Sequence, residues 1–289
     1  MKLLLRINLA VGAVFALAAL ASALVYRSAL EQQARREVLG QAALMIDSAT
    51  AIRAYTANEI DPLLTDQLRG AFLPQSIPFY AATQNFLKLR ERHPAYNYKE
   101  ATLNPTNLRD RASDWEADII QRFREDPGAE EMTGERSTPM GPSLYLARPI
   151  RTEAGCLSCH GRATAAPQTV IARYGSNNGF GWQPNEVIGA QVVSVPLASA
   201  EASAAHLFHL FIAWQITVLV LLLAAVNALL YLIVVRPLTV TARVAERVSL
   251  GETSDAQFPT RGADEIATVG RAFERMRVSL EKALKLIES

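Results

Sequence analysis

The chain has 289 residues, a length that allows one or two folded domains plus connecting segments. Its 29 basic and 28 acidic side chains give a formal net charge of +1, and no basic run with interleaved aromatic residues occurs. This balance excludes a nucleic-acid-binding surface, because such surfaces are strongly basic. Half of the residues are hydrophobic, and many of them lie in two uncharged blocks.

The two uncharged blocks run from Ile7 to Tyr26 and from Leu207 to Val235. Each reaches the length of about 20 apolar residues that a bilayer-spanning helix needs. Gln215 and Asn227 lie inside the second block and could bond across a helix pair. Basic residues precede the first block and follow the second: Lys2, Arg6, Arg236, Arg243 and Arg247. The positive-inside rule therefore predicts a two-pass protein of the inner (cytoplasmic) membrane, with its middle region on the periplasmic or outer side.

The first block could instead be a cleaved signal peptide, because the small residues Ala21-Ser22-Ala23 resemble a cleavage region. Its apolar run exceeds the roughly 7–15 residues of a signal-peptide core, which favours a retained anchor. The middle region is exported in either case. The predicted organisation is a first transmembrane helix in residues 1–26, an exported domain in 27–206, a second transmembrane helix in 207–235 and a cytoplasmic segment in 236–289.

In the exported region, residue patterns predict helices first. Good helix formers fill residues 29–55, and helical spacing resumes from Ala81 to Arg92. Ser113 and Glu116 have the spacing of a capping box at the start of another helix. The stretch 96–107, between the helix that ends at Arg92 and the helix that begins near Ser113, is rich in turn residues, so we expect it to be irregular.

Strands are predicted in the second half of the exported region. The segments from Ser143 to Ile150 and from Val187 to Val195 are rich in strand-forming residues and have Gly and Pro boundaries. Between them, the loop from Gly175 to Gly181 contains the Gly and Asn residues that turns require. The exported domain is therefore predicted to be α+β, with an antiparallel sheet after the helices.

The run Cys156-Leu157-Ser158-Cys159-His160 has the spacing of a c-type haem attachment motif. In such a motif the two thiols form thioether bonds to the haem, and the histidine that follows binds the iron. These are the only two cysteines of the chain, and they lie in the part predicted to be exported. The sequence therefore predicts one covalent haem c attached at Cys156 and Cys159, with His160 as the proximal iron ligand.

Three other functions of this motif remain open: a disulfide, a redox-active dithiol and half of a zinc site. Structural zinc usually takes four Cys or His ligands, and the sequence contains no second paired cluster. A thioredoxin-like dithiol is expected in a βαβ unit and does not need the adjacent histidine. Haem attachment is favoured for these reasons.

The spacing does not specify the sixth iron ligand. The side chains that could supply it, if any does, are Met45, Tyr80, His93, Tyr96, Met132 and Met140. Arg148, Arg151 and Lys99 are candidates for pairing with the haem propionates. His206 and His209 lie at the edge of the second apolar block and are expected to be interfacial.

Several short runs of residues follow one another over roughly residues 30–200. They are Arg53-Ala54-Tyr55-Thr56, Tyr96-Asn97-Tyr98-Lys99-Glu100-Ala101-Thr102-Leu103-Asn104-Pro105-Thr106-Asn107, Trp115-Glu116, the haem motif, and Val187-Ile188-Gly189-Ala190 leading to Val195-Pro196-Leu197. This order resembles a family of exported single-haem domains that occur ahead of kinases and other outputs. The resemblance implies a PAS-like fold and a role in signalling.

The chain departs from that family at the distal iron ligand. Some members use a cysteine of the first helix, and this chain has no third cysteine. The distal ligand must therefore differ or be absent. Met45 lies on the first outer helix and is our first expectation for it.

Beyond the second apolar block the sequence predicts two helices joined by an extended connector. Apolar residues of the second helix recur three and four apart, as in a heptad seam: Ile266, Val269, Phe273, Met276, Leu280, Ala283 and Ile287. The first helix has a shorter seam and is expected to end at Gly251. Two such seams bury their apolar stripes only in a dimeric four-helix arrangement. With Pro237 and Asp264-Glu265-Ile266, residues 236–289 resemble a HAMP linker, which implies a parallel helical dimer that relays signals.

The predicted function is a membrane-bound c-type haem sensor that relays redox or ligand state across the membrane through the HAMP segment. A small gas or a redox partner would act at the haem. No kinase, nucleotide-binding or cyclase signature follows the seam, so we expect a homodimer that is not itself an enzyme and acts on a separate cytoplasmic kinase or other signalling output. The alternative is a membrane-tethered electron-transfer cytochrome, which has no use for a two-helix relay.

Overall fold

Helix α1 runs without a break from Lys2 to Tyr55. Its first part is the uncharged block, and the helix predicted over residues 29–55 is continuous with it. The outer part has one buried stripe with spacings of three and four residues, formed by Ala34, Val38, Ala42, Ile46 and Ala49. That stripe is the face that packs on the rest of the domain.

The computed structural model describes residues 2–139, 141–251 and 257–288, with side chains described between Leu4 and Ala283. Two predicted residues, Met140 and the side chain of Ile287, lie outside the described residues. The chain divides into one unit formed by Tyr26–Phe208 and another formed by Met1–Val25 with His209–Ser289.

A four-stranded antiparallel sheet organises the Tyr26–Phe208 unit. Its strands are β1 (Asn97–Thr102), β2 (Met132–Thr138), β3 (Gly141–Arg151) and β4 (Val187–Pro196), in the spatial order β1-β4-β3-β2. Strand β4 pairs with both β1 and β3 and is buried over nearly its whole length. The predicted α+β class is confirmed.

Two of these strands were not predicted. Strand β1 lies in the stretch 96–107 that we expected to be irregular, and the side chains it buries include the polar Tyr98 and Glu100. Strand β2 lies at the edge of the sheet, where alternate residues such as Thr133 and Glu135 are exposed. Neither strand has the apolar alternation by which strands are recognised in a sequence.

Helices surround the sheet. They are α2 (Thr65–Leu68), α3 (Pro78–Arg92), α4 (Asp114–Glu125), α5 (Leu157–His160) and α6 (Gln168–Tyr174). A π-helical turn, Thr56–Ile60, follows α1. The predicted capping box of α4 is present, because the Ser113 backbone N–H donates to Glu116 at 2.8 Å.

The sheet is covered on both faces. On one face, the α1 stripe packs with Phe86 of α3 against β3 and β4 side chains that include Leu146 and Val193. On the other, Ile120 and Phe123 of α4 pack against a cluster that includes Ala147, Val192 and other sheet residues. Burying a side chain of this size contributes about 1.5–3 kcal/mol. These two apolar layers hold the sheet between α1 and α4.

The second unit contains the apolar helices. The stretches Leu4–Leu68 and Ala198–Ser249 are long and apolar enough to cross a membrane, although a signal sequence also meets this criterion of length and composition. Helix α7 (Ala198–Leu230) contains the two amides predicted to bond across a helix pair. That prediction is confirmed: Asn227 and Asn8 exchange hydrogen bonds at 2.9 Å, and Gln215 donates to Ser22 at 3.0 Å.

Helices α8 (Arg236–Ser249) and α9 (Glu265–Glu288) follow α7. Gly251, the expected C-terminal residue of the first, has a φ of +91°. Val244 and Val248 of α8 form a cluster with Phe258 of the connector, and the ring of Phe273 stacks on Phe258 with centroids 5.5 Å apart. The predicted pair of helices is confirmed, and residues 252–256 of the connector lie outside the described residues.

Candidate functional site

The cysteine motif forms one tight turn between β3 and β4. A 3-10 turn, Ala154–Cys156, leads directly into the four-residue helix α5. Cys156 and Cys159 are both free thiols of intermediate exposure. Two thiols on one turn, both within reach of solvent, are available for covalent attachment of a group from outside.

The geometry does not match the zinc or dithiol alternatives. Among the described residues, no three His, Cys, Asp or Glu side chains are grouped so that they could hold a metal ion. Cys156, Cys159 and His160 therefore do not converge on one point as zinc ligands do. The motif also connects two antiparallel strands, β3 and β4, rather than lying in the βαβ unit of a thioredoxin-like dithiol.

The imidazole of His160 is held in one orientation. Its Nδ1 lies 2.7 Å from the carbonyl oxygen of Gly179, which can only accept, so Nδ1 carries the proton and donates. The hydroxyl of Thr106 lies 3.2 Å from the same nitrogen, and the indole of Trp182 stacks on the ring at 4.1 Å and 14°. Nε2 is left with its lone pair, as in histidines that bind metal.

Burial favours the uncharged form of this histidine. It lowers the pKa of His160, and the hydrogen bond to the Gly179 carbonyl opposes part of that change. A neutral imidazole is the form that binds a metal, because the proton of the charged form occupies the lone pair of Nε2.

The loop that carries Gly179 is fixed on both sides. Gly181 N–H donates to the Gly161 carbonyl at 2.7 Å, and Gly179 N–H donates to the Asn104 side chain at 3.1 Å. Gly179 has a φ of +80°, and a Cβ placed there would lie 2.8 Å from Thr106 Cα. Only glycine therefore fits where the carbonyl meets His160.

Of the candidate distal ligands that the structure describes, which exclude Met140, none contacts His160. Met45 packs at the edge of the cluster between α1 and the sheet. His93 is exposed and meets the edge of the Tyr96 ring, and Met132 packs in the cluster under α4. Tyr80 lies under the guanidinium of Arg109, 5.5 Å from it. The distal ligand stays a prediction.

The three basic side chains considered for the propionates have partners in the protein. Arg148 donates to Asp47 at 2.6 Å, and Arg151 donates to the carbonyl of Pro127 at 2.7 Å. Lys99 donates to the Arg111 carbonyl and to Glu116, both at 2.7 Å. Each of these three side chains therefore already donates hydrogen bonds to acceptors of the protein itself.

A buried polar cluster on the α1 face of the sheet was missed in the sequence. Tyr98 donates its hydroxyl proton to Glu100 at 2.5 Å, and the Gln191 amide donates to Tyr98 at 3.0 Å. Glu100 and Gln191 are each 5% exposed. In the sequence, the only indication was that Tyr98 and Glu100 are two residues apart. This spacing places them on the same face only if the segment is a strand, which the sequence did not predict. We call Tyr98, Glu100 and Gln191 the buried polar cluster.

Burial dominates the acid–base properties of this cluster. It raises the pKa of Glu100 to about 7, while the bond from Tyr98 and the charge of Arg53 act in the opposite direction. Burial and the neighbouring Glu100 also raise the pKa of Tyr98. Asp110, which lies near Glu100, has its pKa raised by burial as well. Near neutral pH, Glu100 is therefore protonated in a large fraction of molecules.

Residues 31–196 match the Tll0287-like family, and this match covers more than half of the chain. The chain belongs to the Tll0287-like family. Residues 229–282 match the HAMP domain, so a HAMP domain follows the Tll0287-like domain, as the sequence resemblance predicted.

A solved structure resembles the Tll0287-like domain: the crystal structure of the cyanobacterial heme-protein Tll0287. The TM-score is 0.44 at 14% sequence identity, over 55% of this chain and 95% of that one. No curated protein matches the chain.

We predict that Gly179→Ala disturbs the support of His160. The added Cβ would overlap Thr106 at a backbone angle that alanine avoids, so the unfolding free energy should fall by about 1–3 kcal/mol. Urea unfolding of the full-length protein, followed by tryptophan fluorescence, measures the loss. Gly175→Ala is the control, because Gly175 has a φ of +78° and open space around it. Equal losses in both variants would contradict a specific role for the Thr106 contact.

We also predict that Glu100 makes the domain less stable as pH rises. Its pKa is raised on folding, so the stabilisation is complete below about pH 4.5, its ordinary value, and is lost as pH rises to about 7. The loss reaches up to about 3 kcal/mol. Urea unfolding across this range should show the decrease in wild type and a flatter profile in Glu100→Gln. The control is Glu37→Gln, at an exposed position on α1. An unchanged slope in Glu100→Gln would assign it to another group.

Proposed function

We propose that this Tll0287-like protein is a membrane-bound c-type haem sensor that relays the redox or ligand state of the haem through its HAMP domain to a cytoplasmic signalling output. The observation that carries the proposal is the orientation of His160. Its Nδ1 donates to the Gly179 carbonyl at 2.7 Å, which leaves the lone pair of Nε2 available to bind a metal. In the sequence, His160 comes directly after Cys159, the second of two free cysteines that have the spacing of a haem attachment motif.

The residues of the site fit a covalently bound haem. Cys156 and Cys159 would form the thioether bonds, and His160 would bind the iron through Nε2. When bound, the haem supplies an iron whose charge changes on reduction and which can exchange a ligand. Three contacts hold the imidazole: the Gly179 carbonyl and the Thr106 hydroxyl at Nδ1, and the Trp182 ring stacked on its face.

The same contacts link His160 to the sheet. Thr106 and Asn104 follow directly after β1, so a displacement of His160 acts on the end of that strand. Strand β1 is hydrogen-bonded to β4, and β4 is followed by α7 after one residue, Leu197. Helices α1 and α7 are the segments by which the chain enters and leaves this domain. A change at His160 thus has a short covalent and hydrogen-bonded route to α7.

Further parts of the proposal concern fold, location and assembly. The haem domain is PAS-like and lies on the periplasmic side of the inner membrane, between two membrane-spanning helices. The HAMP domain forms a parallel homodimer in the cytoplasm. Support for the dimer comes from seam residues that a single chain leaves uncovered: Met276 is 60% exposed and Leu280 is 42% exposed. The protein acts by binding and signalling and not as an enzyme.

The first prediction of this proposal is that the haem is covalent. Full-length protein made in a host that matures c-type cytochromes should give a haem-stained band on a denaturing gel. The band should be lost in the Cys156→Ala, Cys159→Ala double variant, because both thioether bonds are removed. Ser158→Ala, within the same turn, is the control and should keep the band. A wild-type protein without a band would refute the haem assignment.

The second prediction concerns the distal ligand, for which Met45 is our first candidate. A sulfur-to-iron charge-transfer band in the red part of the absorption spectrum should disappear in Met45→Ala, because alanine offers no ligand atom. Met132→Ala, which changes the cluster on the other face of the sheet, should keep the band. If the Met45→Ala spectrum equals that of wild type, the ligand is another side chain, and His93→Ala is the next variant to measure.

The third prediction tests the relay. Met276→Gln places a polar group in the exposed seam and should abolish signalling without changing the haem spectrum. Met276 is preferred to another seam position, Phe273, because Phe273 also packs on Phe258 within its own chain, so its substitution would disturb the fold of that chain as well. The measurement is autophosphorylation of a histidine-kinase reporter fused after residue 289, with the haem reduced and oxidised. Lys282→Gln, off the seam on α9, is the control. A normal redox response in Met276→Gln would favour the membrane-tethered electron carrier.

A further inference from the structure

Arg53 continues the spacing of the buried stripe of α1; its side chain is of intermediate exposure, and its Nε is buried. The stripe advances by three and four residues, and Arg53 comes four residues after Ala49 and three before the buried Thr56. Its guanidinium lies over the ring of Phe79, 3.8 Å from the centroid. A charged side chain at a position that otherwise holds small and apolar residues needs a partner, because an unpaired charge is costly to bury.

The described part of the chain provides no such partner. Arg53 Nε is a buried donor with no hydrogen-bond acceptor, and no described carboxylate forms an ion pair with Arg53. Native proteins leave few buried donors unsatisfied, and each one calls for an explanation. Other basic residues of the domain differ: Arg148 pairs with Asp47, Arg124 with Glu186 and Arg35 with Glu135.

Glu100 and the acid whose charge acts on it, Asp110, do not neutralise Arg53. Glu100 is close enough for the charge of Arg53 to lower its pKa, yet Glu100 accepts its hydrogen bond from Tyr98 instead. Burial keeps Glu100 protonated in a large fraction of molecules near neutral pH. Asp110 accepts from Arg109 at 3.2 Å. The positive charge of Arg53 is therefore available to an anion from outside the chain.

The chemistry of the guanidinium defines the class of ligand. Its planar nitrogens match a carboxylate with two parallel hydrogen bonds. Haem carries two carboxylates on its propionates. Both Arg53 and His160 interact with strand β1 or with the residues just after it. The charge of Arg53 acts on Tyr98 and Glu100 of β1, and His160 contacts Thr106 just beyond the end of β1.

We propose that Arg53 binds a propionate carboxylate of the haem. This inference rests on the proposed function and adds a second attachment of the haem, on α1. The side chain that holds the propionate then belongs to the helix that begins at Lys2, so the haem contacts this helix whichever residue is the distal ligand.

The test uses full-length haem-loaded protein in detergent and compares wild type with Arg53→Met, Arg53→Lys and Arg90→Met. Arg90 is the matched control, an exposed arginine on α3. Resonance Raman spectroscopy of the propionate bending modes reports hydrogen bonding to the carboxylate. These bands should move in Arg53→Met to the position of an unbonded propionate, move part of the way in Arg53→Lys, and stay in place in Arg90→Met.

A second readout is the reduction potential as a function of pH. Without the arginine the carboxylate takes up a proton more readily, so Arg53→Met should acquire a stronger pH dependence than wild type in the neutral range. Unchanged Raman bands in Arg53→Met overturn the proposal. If that variant does not accumulate, unchanged bands in Arg53→Lys overturn it, because lysine cannot make the paired hydrogen bonds.

Two further outcomes are distinguishable from these. A missing haem band on the denaturing gel of wild type refutes the proposed function itself, whereas a full haem band with unchanged Raman bands refutes only the role of Arg53. Titration with acetate separates the two sources of carboxylate. If acetate shifts the potential of wild type but not of Arg53→Met, while the propionate bands are the same in both, Arg53 binds free carboxylates and the proposal is wrong.

Discussion

The hydrogen bond from His160 Nδ1 to the Gly179 carbonyl is the contact on which the candidate site depends. It selects the tautomer of the imidazole and so decides which ring nitrogen keeps its lone pair. The carbonyl is in place because Gly179 adopts a positive φ against Thr106, where a side chain has no room. The protonation pattern of His160 in this short turn is thus set by Gly179, in a loop 19 residues further along the chain.

The two faces of the sheet differ in chemistry. The α4 face buries apolar side chains such as Ile120 and Phe123 together with the carboxylate of Glu116, which accepts hydrogen bonds from Lys99 and Ser113, whereas the α1 face combines an apolar cluster with the buried polar cluster and Arg53. Buried polar groups are stabilising only when each is hydrogen-bonded, and Tyr98 and Gln191 meet this condition around Glu100. Among the described residues of the α1 face, the Nε of Arg53 is an exception to this condition.

The sequence specified what depends on local spacing. The cysteine motif, the capping box at Ser113 and the paired helices near the C-terminus follow from residues close together in the sequence. The amides Gln215 and Asn227 were recognised as polar residues inside an apolar block, although their partners are separated from them by 193 and 219 residues. Strands β1 and β2 and the partners of His160 could not be predicted in this way. Their determinants are residues far apart in sequence, and polar side chains on an edge or inside a polar cluster hide the alternation that identifies strands.

The paired amides of Asn8 and Asn227 set a limit on how far the two apolar helices can slide along each other. Across the helix pair, each amide donates one hydrogen bond to the other and accepts one from it, both at 2.9 Å. A slide by one helical turn, about 5.4 Å, would break both of these hydrogen bonds and leave Asn227 only its bond to the Leu223 carbonyl of its own helix. Small rotations and tilts leave the pair intact. The sliding that this helix pair can undergo with both hydrogen bonds intact is therefore a fraction of a turn, which leaves rotation and tilt as the movements open to it.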